Sequence, residues 1–294
     1  MKFLAIVTTM MLSRVARVAA FNSNLFLPSV SAAATSRSSI AFVPRRTFTL
    51  AAVGSDADVT KEESGGALGT LDYRLKLISK ATSKPVSPWH SIDLKSSTAG
   101  RFNMLTEISK NGKRKMEVDT ESEGNPIKQD VKKGNVREYH GPIFWNYGCF
   151  PQTWEDPNIE HPELKVNGDN DPLDCLEIGK DALEPGSITS VKPLGVLAMI
   201  DDGELDWKVI CIRESEESDY PNGLDSVPAA VKDGIREWFR WYKTPDGKPL
   251  NEFGFDEKWL GEKEVLEVIE ETNAAWKNLK DGGVENNGGL WIGD

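Results

Sequence analysis

Between Ile188 and Glu214 two apolar runs, "ITSVKPLGVLAMID" and "DWKVICIRE", stand on either side of a short acidic break. Alternating apolar residues around a break containing Asp-Gly specify an antiparallel hairpin and leave little room for a helix. The spacing places the turn at Asp202 to Leu205, with Asp201 and Asp206 opposite each other at its mouth and Lys208 on the same face as Asp206. Shorter strand-like segments precede it: "YRLKLIS", "FNMLTEIS", "KRKMEVD", "NVREYH" and "LDCLEIG". Helical spacing appears only afterwards, at Val231, Ile235, Trp238, Phe239 and Tyr242, and again at Val265, Ile269, Ala275, Trp276 and Leu279. Strands first and helices after point to an α+β chain, a small antiparallel barrel flanked by helices.

The ends read differently from the body. The first 50 residues hold no Asp or Glu but carry Lys2, Arg14, Arg17, Arg37, Arg45 and Arg46 among Ser, Ala and Thr. The apolar run "FLAIVTTMML" is too short to span a bilayer, and a small-residue stretch leads to Phe21. A signal-like run before a basic, hydroxyl-rich stretch resembles the two-part plastid presequence of algae with secondary plastids. Residues 1–55 are therefore expected to be a targeting presequence for the plastid stroma, with a mitochondrion as the alternative. Residues 56–70 read as a linker, 71–281 as one catalytic body, and 282–294 as a flexible tail. Loss of the six leader cations leaves 29 basic against 46 acidic residues, a net charge of −17. Such a surface repels nucleic acid and anionic membranes, so neither is expected as a partner. Cys149, Cys175 and Cys211 are too far apart for a CxxC site, and three histidines are too few for a histidine-rich transition-metal centre.

The densest chemistry lies in "GDNDPLDCLEIG", where Asp169, Asp171 and Asp174 fall within six residues. An EF-hand starting at Asp169 fails, because position six is Asp174 rather than Gly and position twelve is Lys180 rather than Glu. Crowded carboxylates raise one another's pKa unless a cation neutralises them, and hard divalent ions prefer oxygen ligands, so a magnesium site is the economical reading. Pro172 biases Asp171 toward extended backbone and so fixes the direction of the loop carboxylates. Asp201 and Asp206 form a second acidic group. A third comes from "EISKNGKRKMEVD", read as a hairpin that sets Glu107 against a return strand with Lys113, Lys115 and Glu117 on one face. Arg137, Tyr242 and Lys243 add donors of the kind that orient phosphate oxygens.

Together with "FPQTWEDP", "DDGELDWKVI" and "EWFRWYKTPDGKP", the Asp-x-Asp-Pro-x-Asp signature resembles the family I soluble inorganic pyrophosphatases of the eukaryotic type, from about Tyr73 to Leu279. The resemblance implies a five-stranded OB-type barrel holding three or four Mg²⁺ over pyrophosphate. It implies that Asp169, Asp174 and Asp206 hold a first ion, that Asp174 shares a second, and that Asp201 and Asp206 hold a third. Glu117 would meet an ion delivered with substrate. Asp171 matches the position of the general base, in direct attack by a metal-activated hydroxide with no phosphoenzyme. Lys115 and Tyr147 would face one phosphate, Arg137, Tyr242 and Lys243 the other, with Glu107 and Lys208 in support. One departure stands out: where the family places a second tyrosine, four residues before Tyr147, this chain has Ile143, and Tyr139 could serve only if the preceding loop folds back. Trp89, Trp238 and Trp241 are read as core or as an oligomer contact, and the resemblance implies a homodimer. The rival readings are a metal-dependent phosphatase for organic esters and an OB-type nucleic-acid module.

Overall fold

The computed structural model describes residues 53–293, so most of the predicted presequence lies outside the described residues. In chain order the strands are β1 (Val59–Ser64), β2 (Arg74–Ser79), β3 (Pro85–Val86), β4 (Phe102–Ile108), β5 (Met116–Val118), β6 (Ile127–Gln129), β7 (Val131–Lys132), β8 (Asn135–Val136), β9 (Asn146–Cys149), β10 (Asp174–Glu177), β11 (Ile188–Asp201), β12 (Glu204–Arg213) and β13 (Glu252–Phe253). Helix α1 (Ala229–Trp241) precedes β13, and α2 (Glu262–Lys280) follows it.

Five strands close on themselves in the order β12-β10-β9-β4-β11, with β11 pairing back to β12. Closure removes the open sheet edges that would otherwise template association. The fourteen-residue β11 serves two neighbours: Ile188 to Val191 pair with β4, and Val191 to Asp201 pair with β12 across an irregularity at Pro193/Gly195. A break in register there bends the strand enough for one segment to span two sides of a small barrel. All contacts in the ring are antiparallel except β10 with β12, which run parallel. Strand alternation alone says nothing about that pairing, because it is imposed by closing the ring. A second sheet, β1-β2-β6-β5, lies outside the barrel with β3 on its edge.

Apolar residues fill two clusters. In one, Val265, Val268 and Ile269 of α2 pack with Val196 and Ala198 of β11. In the other, Ile235 and Phe239 of α1 meet Trp145, Leu176 and Ile210. The i, i+3, i+4 stripe of each helix is what makes this one-sided burial possible.

Several expectations need correction. Residues 56–70 are not a linker: β1 pairs along its whole length with β2, Val59 to Ser79 through Ser64 to Arg74, and Val59 is buried. Gly65, Gly66 and Gly69 follow the strand, in the turn that leads back to β2. The 282–294 segment packs onto the body, with Leu290 buried in the core. The Glu107 hairpin does not exist, because β4 pairs with β9 and β11 while β5 pairs with β6. The turn after β11 is tighter than expected. Asp202 and Gly203 both take positive φ, as a two-residue turn of primed type requires, so Asp201 faces Glu204 and Asp206 faces Met199. Asp201 and Asp206 thus sit diagonally on one face rather than directly opposite. Of "NVREYH" only Asn135 and Val136 are strand.

Candidate active site

One end of the barrel opens into a cavity of about 370 Å³, and thirteen residues singled out from the sequence line it, though Lys113 does not: Glu107, Lys115, Glu117, Arg137, Tyr147, Asp169, Asp171, Asp174, Asp201, Asp206, Lys208, Tyr242 and Lys243. The strands deliver them by register. Asp174 opens β10 opposite Cys149 and beside Lys208 of β12, while Asp206, Lys208 and Asp201 share a face of the β11–β12 hairpin. Glu107 reaches the cavity from β4 without any hairpin, since its Oε1 accepts a hydrogen bond of 2.7 Å from the Val118 amide just beyond Glu117.

The base of the cavity is built around Lys208. Its ammonium, only 2% exposed, donates to both Asp174 and Asp206 and to the Tyr147 hydroxyl at 3.2 Å, over the ring of Phe239. Burial opposes the charge, but the two carboxylates outweigh it and hold the lysine above its ordinary pKa. Burial, the Asp174 charge and the hydrogen bond to that carboxylate push the Tyr147 hydroxyl well up, so it is a donor at neutral pH.

Two banks of donors stand above. On one side Asp130 ties Lys115 at 3.1 Å to Arg137 at 2.9 Å, and Lys115 also pairs with Glu117 at 2.5 Å. Those two cations overcome the burial of Asp130 and keep its carboxyl low. On the other, Asp201 accepts from Tyr242 at 2.8 Å and from Lys243 at 2.5 Å. Arg137, which the resemblance sets with Tyr242 and Lys243 on one phosphate, pairs with the same Asp130 carboxylate as Lys115.

Opposite lies the acidic loop. Asp171 donates its amide to Asp169 Oδ1 at 3.0 Å, and reciprocal backbone bonds join the loop to Glu155: Glu155 N–H to Asp171 O, and Asn170 N–H to Glu155 O, both 2.9 Å. Carboxylate oxygens of Glu155, Asp169 and Asp206 lie within 4.8 Å of one another. Glu155 Oε1 accepts from the Trp207 amide at 2.9 Å, while Oε2 is buried with no hydrogen-bond partner. A buried carboxylate with one unpartnered oxygen, close to two other carboxylates, fits a hard divalent cation. Burial and mutual repulsion raise Glu155 and Asp169 well above the carboxylate range, Asp171 to about 6 and Asp206 to about 7.

Sequence reasoning missed Glu155 and Asp130. Glu155 lay inside the quoted "FPQTWEDP", but fourteen residues from Asp169 no spacing rule connects the two; only the backbone bonds between the segments do. Asp130 sits in an ordinary charged stretch. Tyr139 does reach the cavity, edge-on to Trp238 and Tyr242, whereas Ile143 is fully buried in the core.

The comparisons agree with this geometry. Residues 104–277 match the family described as inorganic pyrophosphatase. Soluble inorganic pyrophosphatase 6, chloroplastic, of Arabidopsis thaliana is 43% identical over 250 residues, which cover 83% of this chain and 82% of that protein. A chloroplastic soluble inorganic pyrophosphatase of Chlamydomonas reinhardtii is 46% identical over 229 residues, 76% and 80% of the two chains. Among solved structures, the type I inorganic pyrophosphatase of Toxoplasma gondii superposes with a TM-score of 0.71 at 42% identity, covering 75% of this chain and 99% of that one.

Proposed function

The chain belongs to the inorganic pyrophosphatase family, and on that premise we propose that its cavity hydrolyses pyrophosphate to two orthophosphates by direct attack of water on one phosphorus. The observation that carries the reading is the meeting, in one cavity, of Asp169 and Asp206, whose carboxylate oxygens also lie within 4.8 Å of a Glu155 oxygen, with two banks of phosphate-type donors. Asp169, Asp174, Asp206, Asp201, Glu117 and Glu107, with Glu155 added, are the oxygens proposed to hold three or four divalent cations, Mg²⁺ foremost. When bound, those cations supply charge neutralisation and acidify the attacking water.

The chain's own residues do the rest. Asp171, on the loop between the carboxylates, accepts the proton of the attacking water. Lys115 and Arg137 on one bank, and Tyr242 and Lys243 on the other, donate to the oxygens of the two phosphoryl groups and hold the anhydride in line for displacement. Tyr147 and Lys208 donate at the base as charge grows on the reacting phosphoryl group. Tyr139 supplies the hydroxyl that Ile143 cannot, from a position four residues earlier.

The test is phosphate release by the full-length chain with Mg²⁺ titrated, beside Asp171→Asn. Fast, Mg²⁺-dependent release from pyrophosphate is expected, reduced roughly 10²- to 10⁴-fold in the variant. A folded, Mg²⁺-loaded protein that ignores pyrophosphate but cleaves a sugar phosphate would point to the organic-ester reading.

We further propose that residues 1–55 direct the chain to the plastid stroma, which accords with the chloroplastic names of two relatives. There its removal of pyrophosphate would pull forward the syntheses that release it. A fluorescent protein carrying residues 1–55 should label plastids; mitochondrial labelling would overturn the assignment. A homodimer is proposed for the mature enzyme, to be read by sedimentation.

A further inference from the structure

After α2 the chain folds back along the body. Asn286 closes a tight loop, accepting from the Leu290 amide at 2.8 Å and donating to the Leu290 carbonyl at 2.6 Å, and Leu290 is buried. The Trp291 amide donates to Thr120 O at 2.8 Å. Its carbonyl accepts from Asn125 Nδ2 at 3.3 Å and meets His90 Nε2 at 2.9 Å. The Trp276 indole donates to His90 Nδ1 at 2.8 Å, which makes Nε2 the protonated nitrogen. Thr120 itself lines the active-site cavity, two residues beyond the strand that carries Glu117.

Three residues earlier the same segment touches the opposite wall. Gly288 lies so near Asn170 that a Cβ there would come within 2.8 Å of Asn170 Nδ2. Asn170 separates Asp169 from Asp171, sits at φ +75°, and accepts from the Trp154 indole at 3.1 Å. One segment therefore braces both acidic walls while contributing no carboxylate to the cavity.

We propose that residues 284–292 are a strap that positions these walls relative to each other, through Trp291 on the Thr120 turn beside Glu117 and through Gly288 on Asn170 between Asp169 and Asp171. Cation affinity then depends on a segment that holds no ligand. The inference rests on the reading of these carboxylates as cation ligands, and its test reads cation binding separately from turnover.

Gly288→Ala is the sharpest probe, because Gly288 is not among the residues at positive φ and the nearest atoms a methyl group there would meet all belong to Asn170. Asn170 cannot swing aside without giving up its bond to Trp154. Calorimetric titration of the full-length chain with Mg²⁺ alone should show the dissociation constant rising on the order of tenfold in Gly288→Ala, the size usual for groups that orient metal ligands. Leu290→Ala, which undocks the strap, should move in the same direction, and the exposed Asn287→Ala should match wild type. Melting in cation-free buffer separates this from simple unfolding: Gly288→Ala should melt close to wild type. If Gly288→Ala and Leu290→Ala bind Mg²⁺ like wild type while Asp169→Asn does not, the strap is a passive cover and the proposal fails. Wild-type protein that binds Mg²⁺ yet leaves pyrophosphate intact would overturn the function and leave the binding comparison standing.

Discussion

Lys208 shows at single-residue scale how the site is held together. A buried ammonium between two carboxylates is stable only because Asp174 and Asp206 compensate it, and they in turn depend on it. Lys208→Met should destabilise the cation-free protein by about 3 kcal/mol at pH 8, with Mg²⁺ restoring part of the loss, as measured by urea unfolding with and without the ion. The carboxylates Asp171 of the loop and Asp206 of β12 have the opposite balance. Asp171 and Asp206 titrate near 6 and 7 in the fold against 3.8 when free, so the native state holds extra protons between about pH 4 and 7. Their contribution is therefore complete below pH 4 and is lost as pH rises through 6 to 7 in cation-free protein. Cations and protons compete for these oxygens, so the rise in melting temperature given by Mg²⁺ should be larger at pH 8 than at pH 5; equal shifts would refute the competition. At Tyr139 the effect is smaller. Tyr139→Phe should lower turnover several-fold, as one neutral hydrogen bond of about 1 kcal/mol allows, without moving the melting temperature. Ile143→Tyr should not rescue it, because Ile143 has no exposed surface and a phenol there overfills the core.

At the scale of elements, the hairpin of β11 and β12 was legible because long alternating runs around Asp-Gly have few other solutions, although its turn proved one step tighter. Strand β9 was not foreseen, and it carries Tyr147. With four residues, Asn-Tyr-Gly-Cys, it offers too little text for a period to show, and its strand conformation comes from the partners on both sides, β4 and β10. Gly148 records that closeness, since a Cβ at this position would lie 1.8 Å from Leu105 O. Gly148→Ala must therefore part β4 from β9, at a cost of about 3 kcal/mol or more that chemical denaturation would reveal, with activity falling as Tyr147 is displaced. A fully stable variant would show that the two strands are less tightly joined than the register implies. Hydrophobic period identified α1 and α2 well, because each buries a single stripe.

Across the whole molecule, the ordering of strands before helices was enough to anticipate a barrel with flanking helices, and the local density of carboxylates was enough to anticipate an acidic cluster around Asp169. Thirteen residues scattered from Glu107 to Lys243 were named before any coordinates and share one cavity. Local spacing exposed the acidic loop and the hairpin, and residue type near them drew attention to Glu107, Arg137 and Lys243; for Tyr147 the signal was resemblance to a family motif. The two segments read as loose, residues 56–70 and 282–294, were judged by composition, yet each finds partners far away in the chain: β1 on β2, and Trp291 on Thr120 and His90. Chain composition and period therefore determined which residue types alternate, where the chain turns and where charge accumulates, because those are properties of neighbours along the backbone. Only the tertiary structure decided the parallel closure of β10 on β12, the arrival of Glu155 beside Asp169, and the return of the C-terminal segment to the site. Each of these joins residues distant in sequence, and their pairing is selected by which closed, hydrogen-bonded and well-packed arrangement of the whole chain leaves the fewest polar groups unpaired and the least apolar surface in water.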